Sequence, residues 1–246
     1  MAEHIDAILR NWPYDPETLS VRMVKASGGR TVLQMRVDLG LLQLETTGRP
    51  DGAHPGGYQT YFDYLIARAM EAGEPFSLSE VDCREIDREF VQFYHRRLCW
   101  LRLQEYRRAA ADAEHTLGLM DFCRLHTDDL EWLMSHEQYR PYVLMHRVQA
   151  QALAELEASQ PDAAIACIDQ GLEELREFFR RYASDEEFEE DDIVARLRDF
   201  RDTLREQFDP RFALQRQLEE AIAAEEYERA AAIRDELARL DKRGRR

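Results

Sequence analysis

Apolar residues recur at helical spacing along most of this chain, with one exception near its N-terminus. Ile5, Ile8, Leu9 and Trp12 form one face of a short opening helix that Pro13 ends, and Pro13, Asp15 and Pro16 mark a turn. The period then changes to two. Val21 and Met23, with Leu19 before them, alternate with Ser20, Arg22 and Val24 up to Ala26, and Val32–Val37 and Leu41–Glu45 read as two further strands. Ser27-Gly28-Gly29-Arg30 supplies a hairpin turn, because glycine tolerates the positive φ such turns need, and Gly40 reads as a break or bulge. The pattern predicts a three-stranded antiparallel sheet over roughly residues 19–47. Three strands need a cover, and the helix from Gln59 to Ala72 offers Tyr61, Phe62, Leu65, Ile66 and Ala69.

From Ser77 onward the text is helical. Ser77 and Glu80 have capping-box spacing, and Ile86, Phe90, Phe93, Tyr94, Leu98 and Leu101 line the long helix that follows. A second helix carries Tyr106, Ala109, Ala113 and Leu117 at intervals of three and four. A second pair starts near Pro141 with Leu144, Val148, Ala152 and Leu156. Pro161 then opens a helix bearing Ala164, Ile165, Ile168, Leu172, Leu175 and Phe179. An apolar helix beside an alanine-bearing one resembles a tetratricopeptide repeat, with Ala109 and Ala164 in matching places. The spacing is too long for a regular array. The text from Asp121 to Arg140 adds a short helix around Leu130, Leu133 and Met134, and Arg97 stands where a small residue is usual. An ordinary helical bundle would show the same stripes. Asp185–Asp192 is an acidic run broken only by Phe188 and reads as a solvated loop, while Ile193, Leu197, Phe200, Leu204 and Phe208 stripe one more helix. Asp209-Pro210 breaks the chain before the last segment.

That segment is a helical hairpin. Leu214, Leu218, Ala221 and Ile222 share a face of its first helix, and Ala230, Ile233, Leu237 and Leu240 form a short seam on its second. Glu225, Glu226 and Glu228 stand where the second helix begins, with Lys242, Arg243, Arg245 and Arg246 following its end; both placements suit the helix dipole. The text from Glu225 to Leu237 resembles the UVR motif shared by the excision-repair proteins UvrB and UvrC, through Glu225, Tyr227, Glu228, Ala230, Ala231, Ile233, Arg234 and Asp235. Tyr227 replaces the commoner phenylalanine. The resemblance implies pairing with a second UVR hairpin or a related helical segment, and it also extends to adaptors of bacterial protease and stress systems. The N-terminal text around Gln34–Gly52 resembles a segment found before UVR motifs in planctomycete-type bacterial proteins.

The formal charge of −16 argues against general nucleic-acid binding, because phosphate contact needs clustered Lys and Arg. Four scattered cysteines (Cys83, Cys99, Cys123, Cys167) suggest reduced, mostly buried thiols rather than a disulfide or zinc framework. Glu3 and Asp6 near the start, with no apolar core after them, and the lack of an apolar run of membrane length point to a cytoplasmic protein. The seven histidines show no metal-binding spacing, and the nucleophile-elbow, phosphate-loop and dinucleotide patterns are missing. The Gly- and Pro-rich stretch 46–58 holds Arg49, Asp51 and His54 close together, as a polar ligand site or simply as a long turn; sheet residues Arg36, Asp38 and Glu45 are its nearest candidates for chemistry.

The expected fold is mainly α with a small N-terminal α+β unit. It divides into 1–75 (the sheet unit), 76–208 (a tetratricopeptide-like helical stack) and 209–246 (the hairpin). The expected function is a non-enzymatic adaptor or scaffold with no cofactor and no metal. It would dock a protein bearing a UVR-like or other helical segment, or a second copy of itself, through Leu218, Ile222, Tyr227, Glu228, Ala230, Ala231, Arg234, Asp235 and Leu237. The alternatives are an accessory of nucleic-acid excision repair and an enzyme built on the 46–58 loop.

Overall fold

A computed structural model describes residues 4–72 and 75–243, with side chains to residue 240. The opening helix α1 spans Asp6–Asn11, and the sheet that follows has the order β1 (Val21–Lys25), β2 (Thr31–Val37), β3 (Gly40–Glu45), all antiparallel. The period-two text forms strands because each side of the central strand has work to do. Leu33, facing Met23 and Leu44 in register, and Met35, facing Val21 and Leu42, point to the core. Arg22, Gln34 and Gln43 stand opposite one another on the other face, where Arg22 Nη2 donates to Gln34 Oε1 at 2.8 Å and Gln34 Nε2 to Gln43 Oε1 at 3.1 Å. The β1–β2 turn places Gly28 and Gly29 at φ of 75° and 77°, conformations that favour glycine. Gly40 neither breaks nor bulges a strand. It pairs with Val37 across the two-residue turn Asp38-Leu39 and opens β3.

The expected cover for the sheet is corrected. Leu33, Met35 and Leu44 share their core with Cys99 and Trp100 of α3 (Glu80–Arg102), Ala109 and Ala110 of α4 (Tyr106–His126), and Ala150 of α6 (Arg140–Glu157). At 23 residues α3 is about 35 Å long. Its C-terminal half reaches the sheet, while its N-terminal half holds α2 (Tyr61–Ala72) through buried polar groups. Glu89 of α3 accepts the first backbone N–H groups of α2, from Tyr61 at 2.7 Å and Phe62 at 3.1 Å. Asp82 accepts the Tyr61 hydroxyl at 2.7 Å and pairs with Arg68. The cap of α3 is Ser79 with Asp82, in a full capping box, and not Ser77 with Glu80. The serine pair two residues apart offers both options. Asp82 wins because it is already fixed by Tyr61 and Arg68, whereas Glu80 points into solvent.

The helix α5 (Leu130–Glu137), capped by Asp129, carries a buried Glu137 held by Arg140 at 2.6 and 2.7 Å. In α7 (Pro161–Tyr182), Pro161 occupies the first turn, and Ala164, Ile168, Leu172, Leu175 and Phe179 are buried; α9 (Asp192–Phe208) buries Val194, Leu197 and Leu204. Asp169 of α7 binds Arg201 and Arg205 of α9 at 3.3 and 2.7 Å. The acidic run is helical rather than a loop. It forms α8 (Asp185–Glu190), capped by Ser184, and Phe188 at its centre is buried between the guanidinium groups of Arg176 and Arg198. The chain ends in α10 (Pro210–Ala223) and α11 (Tyr227–Arg243).

Two compact units result, residues 1–151 and 152–246. The division falls inside α6, because the sheet shares its core with α3 and α4, and α10 is grouped with α7–α9. Among the described residues no helix is long and apolar enough to cross a membrane.

Candidate docking interface

Asp209 opens the terminal hairpin. Its carboxylate accepts N–H groups of Arg211 at 2.9 Å and Phe212 at 3.2 Å, and Pro210 occupies the first turn, where its missing N–H costs nothing. The helix α10 ends with Glu225 in the left-handed region at φ 58°, and Glu226 N–H closes onto Ala221 C=O at 2.8 Å. This is a Schellman-type cap made without glycine. The two helices meet through Ala221, Ala230 and Ile233, flanked by Leu214, Leu218 and Leu237. Alanine at both central positions lets the backbones approach closely. Lys242 and Arg243 lie within the last turn of α11 rather than after it, and Arg245 and Arg246 fall outside the described residues.

The nine residues expected to contact a partner therefore separate into two groups. Leu218, Ala230 and Leu237 belong to the hairpin's own seam. Ile222 and Tyr227 are open, at 54% and 69% exposure, and Glu228, Ala231, Arg234 and Asp235 are exposed as well. Arg234 and Asp235 reach each other at 3.4 Å, both largely solvated, a pair of little energetic weight by itself. On the other side α10 lies against α9. Arg205 caps the Phe212 ring at 5.8 Å, Arg216 pairs with Glu206, and a polar cleft of about 510 Å³ is lined by Asp199, Asp202, Phe212, Arg216 and Glu219.

The same local text occurs earlier in the chain, a recurrence the helical periodicity alone did not reveal. Tyr106-Arg-Arg-Ala-Ala-Ala at 106–111 matches Tyr227-Glu-Arg-Ala-Ala-Ala at 227–232. Both follow the same turn: Gln104 has φ 60° and Glu105 N–H meets Trp100 C=O at 2.9 Å, as Glu225 and Glu226 do in the hairpin. Their surroundings differ. In the first copy Ala109 and Ala110 are both buried, Ala110 in the core it shares with the sheet and Ala150. In the second copy only Ala230, the counterpart of Ala109, is covered. Ala231, the counterpart of Ala110, faces solvent.

The 46–58 loop holds a second group of polar residues. Arg49, Asp51 and His54 line a cleft of about 400 Å³ with Tyr61, Glu85 and Arg88, all from the loop and the helices α2 and α3, while Arg36, Asp38 and Glu45 of the sheet do not line it. Arg49 is buried and already engaged, by Glu85 at 2.8 Å, Asp51 at 3.4 Å and Glu89 at 3.6 Å. Gln92 ties Asp51 to α3 at 2.8 Å. These contacts anchor the loop. His54 stands exposed at the rim. Arg36 is likewise engaged, donating to the carbonyls of Trp12 at 2.8 Å and Gly40 at 2.7 Å. Among the described residues no cluster of His, Cys, Asp and Glu has the geometry to hold a metal. Burial pushes the Cys99 thiol up to about 12 and raises that of Cys123 further, so both stay protonated.

The terminal element is thus, by its geometry, a short antiparallel helical hairpin closed on alanine, with apolar surface left over. Residues 213–243 match the family model for UVR, the UvrB/uvrC motif, so the hairpin carries that motif; the match covers this segment and not the upstream units. No curated protein matches the chain, and no solved structure does.

Proposed function

We propose that the protein is a non-enzymatic adaptor whose C-terminal hairpin docks a helical segment of a partner, the upstream helices serving as a second platform. The observation that carries this reading is the contrast between the two copies of the Tyr-x-Arg-Ala-Ala-Ala text. Where the copy is internal, its second alanine is covered; in the hairpin copy Ala231 is bare, and Ile222 and Tyr227 of the same hairpin are exposed. Covering this face with a helix removes apolar area from water, at about 25 cal/mol per Å². It also uses the small-residue approach that the seam already uses.

The seam dictates how to test it. Leu237→Asp would open the hairpin itself, because Leu237 packs against its core, so the decisive variant is Ala231→Glu on the outer face of α11. Full-length protein carrying Ala231→Glu is expected to lose at least about tenfold in partner capture, equivalent to about 1.4 kcal/mol, with unchanged helical circular dichroism. Sedimentation of wild-type protein identifies the case in which the partner is a second copy. Equal capture by wild type and variant refutes the proposal. The motif's name also invites a role as an accessory in excision repair. Binding to DNA that weakens steeply with added salt would favour that role instead.

A further inference from the structure

The loop between the sheet and α2 is fixed by buried charge and by closely packed glycines. Arg96, buried in α3, donates to the carbonyls of Glu45 at 3.2 Å and Gly48 at 2.7 Å. Gly48 and Gly56 both have positive φ; a Cβ on Gly48 would sit 2.8 Å from the Gln59 side chain, and one on Gly56 2.6 Å from the Tyr64 ring. The loop is thus shaped by the protein's own contacts, and the cleft it forms with α2 and α3 is largely preformed, as small-molecule sites are. Its volume of about 400 Å³ falls in their usual range, about 300–1,000 Å³.

Arg49 lines this cleft while being only 3% exposed. Its Nε donates to Gln92 Oε1 at 3.3 Å and its Nη2 to Glu85 Oε2 at 2.8 Å. The third guanidinium nitrogen, Nη1, makes no hydrogen bond among the described residues and is not sealed from solvent. It has donor capacity left for a ligand. The neighbouring carboxylates have acceptor capacity left. Asp51 Oδ2 accepts Gln92 Nε2 at 2.8 Å, Glu85 Oε2 accepts Arg49, and Glu85 Oε1 lies 3.2 Å from Arg88, whereas each carboxylate oxygen can accept twice. Tyr64 and His54 also line the cleft, and neither the hydroxyl nor the imidazole is hydrogen-bonded among the described residues.

Two features set the ligand class. A donor stands directly beside acceptors, Arg49 next to Asp51 and Glu85, which suits neighbouring hydroxyl groups, since each can accept one hydrogen bond and donate another. Two guanidinium groups, Arg49 and Arg88, stand against three carboxylates, Asp51, Glu85 and buried Glu89, so these fixed charges leave no positive excess for a phosphate or a carboxylate. We propose that the cleft binds a neutral polyol, a sugar ring, whose adjacent hydroxyls accept from Arg49 Nη1 and donate to Asp51 and Glu85. The sugar replaces water on groups that the fold has already fixed in place. The site lies within the first unit, so its test is independent of the terminal hairpin.

The methyl α-glycosides of glucose, galactose and mannose are titrated into the full chain while the Arg49 Nε–H and the Ala53 and Gly56 amide resonances are followed. Saturable shifts are expected with at least one glycoside, at a dissociation constant in the millimolar range or tighter. Asp51→Asn replaces a charged acceptor and is expected to weaken binding at least about tenfold. Ala53→Trp, on the exposed rim, fills the cleft while leaving its hydrogen-bonding side chains in place, and is expected to abolish saturation. A free sugar and the end of a glycan present the same hydroxyls. Tighter binding of maltose than of glucose assigns the site to a glycan, and equal or weaker binding assigns it to a free sugar. No saturable shift with any of the three glycosides, equal affinity in Asp51→Asn or Ala53→Trp, or tighter binding of glucose 6-phosphate than of glucose overturns the proposal. The wild-type titration decides the question even if neither variant folds.

Discussion

Glu89→Gln is the sharpest test of how the first unit is held together. The carboxylate is fully buried and faces four donors. Oε2 accepts Tyr61 N–H at 2.7 Å and lies 3.6 Å from Arg49 Nε; Oε1 accepts Phe62 N–H at 3.1 Å and the His115 Nε2 proton at 2.9 Å. Glutamine keeps one oxygen and turns the other position into a donor. Whichever oxygen is replaced, two donors lose their acceptor and meet an N–H₂ group instead. A lost hydrogen bond to a charged acceptor costs about 1.5–3 kcal/mol, and breaking a buried pair about 3–5 kcal/mol. The expected destabilisation is therefore about 3–5 kcal/mol, read by urea unfolding with an unchanged slope. Hydrogen exchange supplies the local check. The Tyr61 and Phe62 amides at the start of α2 should lose protection before the sheet does. A loss below about 1 kcal/mol, with those amides still protected, would refute the claim that Glu89 joins α2 to α3.

Asp82 gives the acid limb of the stability curve. Burial acts to raise its pKa, but hydrogen bonds from Ser79, Tyr61 and Arg68 outweigh it and hold the group at about 2, below its ordinary 3.8. A depressed folded-state pKa means that the contribution is complete above pH 4 and is lost as pH falls toward 2. Asp82→Asn should flatten stability over that window, and an unchanged acid slope would count against the assignment. Gly56 has φ of 56°, and a Cβ there would sit 2.6 Å from the Tyr64 ring, so Gly56→Ala should destabilise by about 1–3 kcal/mol in thermal unfolding. An unchanged melting temperature would show that the loop gives way freely.

Helices and strands were legible because their signals are local. The period-two text at 19–47 became the sheet, Pro161 and Asp209-Pro210 mark helix starts, and the hairpin's seam follows from its spacing. Six of the nine hairpin residues singled out from the text are exposed: Ile222, Tyr227, Glu228, Ala231, Arg234 and Asp235. The division of the nine residues into seam and surface was not legible, since a stripe shows which residues share a helix face and not what covers it. The Tyr-x-Arg-Ala-Ala-Ala recurrence was available in the text, but its meaning needed the burial of Ala110 for comparison.

Charged residues mark the boundary between the two kinds of information. Composition assigns Asp, Glu and Arg to solvent, and for Asp185–Asp192 it suggested a loop; the structure made a helix there because Phe188 found Arg176 and Arg198 on neighbouring helices. Arg49, Asp82, Glu89 and Arg96 are interior for the same reason, through partners 16 to 36 positions away. The sequence by itself determined the elements, because backbone periodicity and turn chemistry act within a few residues. Which helix covers the sheet, which serine caps α3 and which charges are buried were decided only in the tertiary structure. Each depends on long-range pairing, and burial of a charge is tolerated only where the fold delivers its partner.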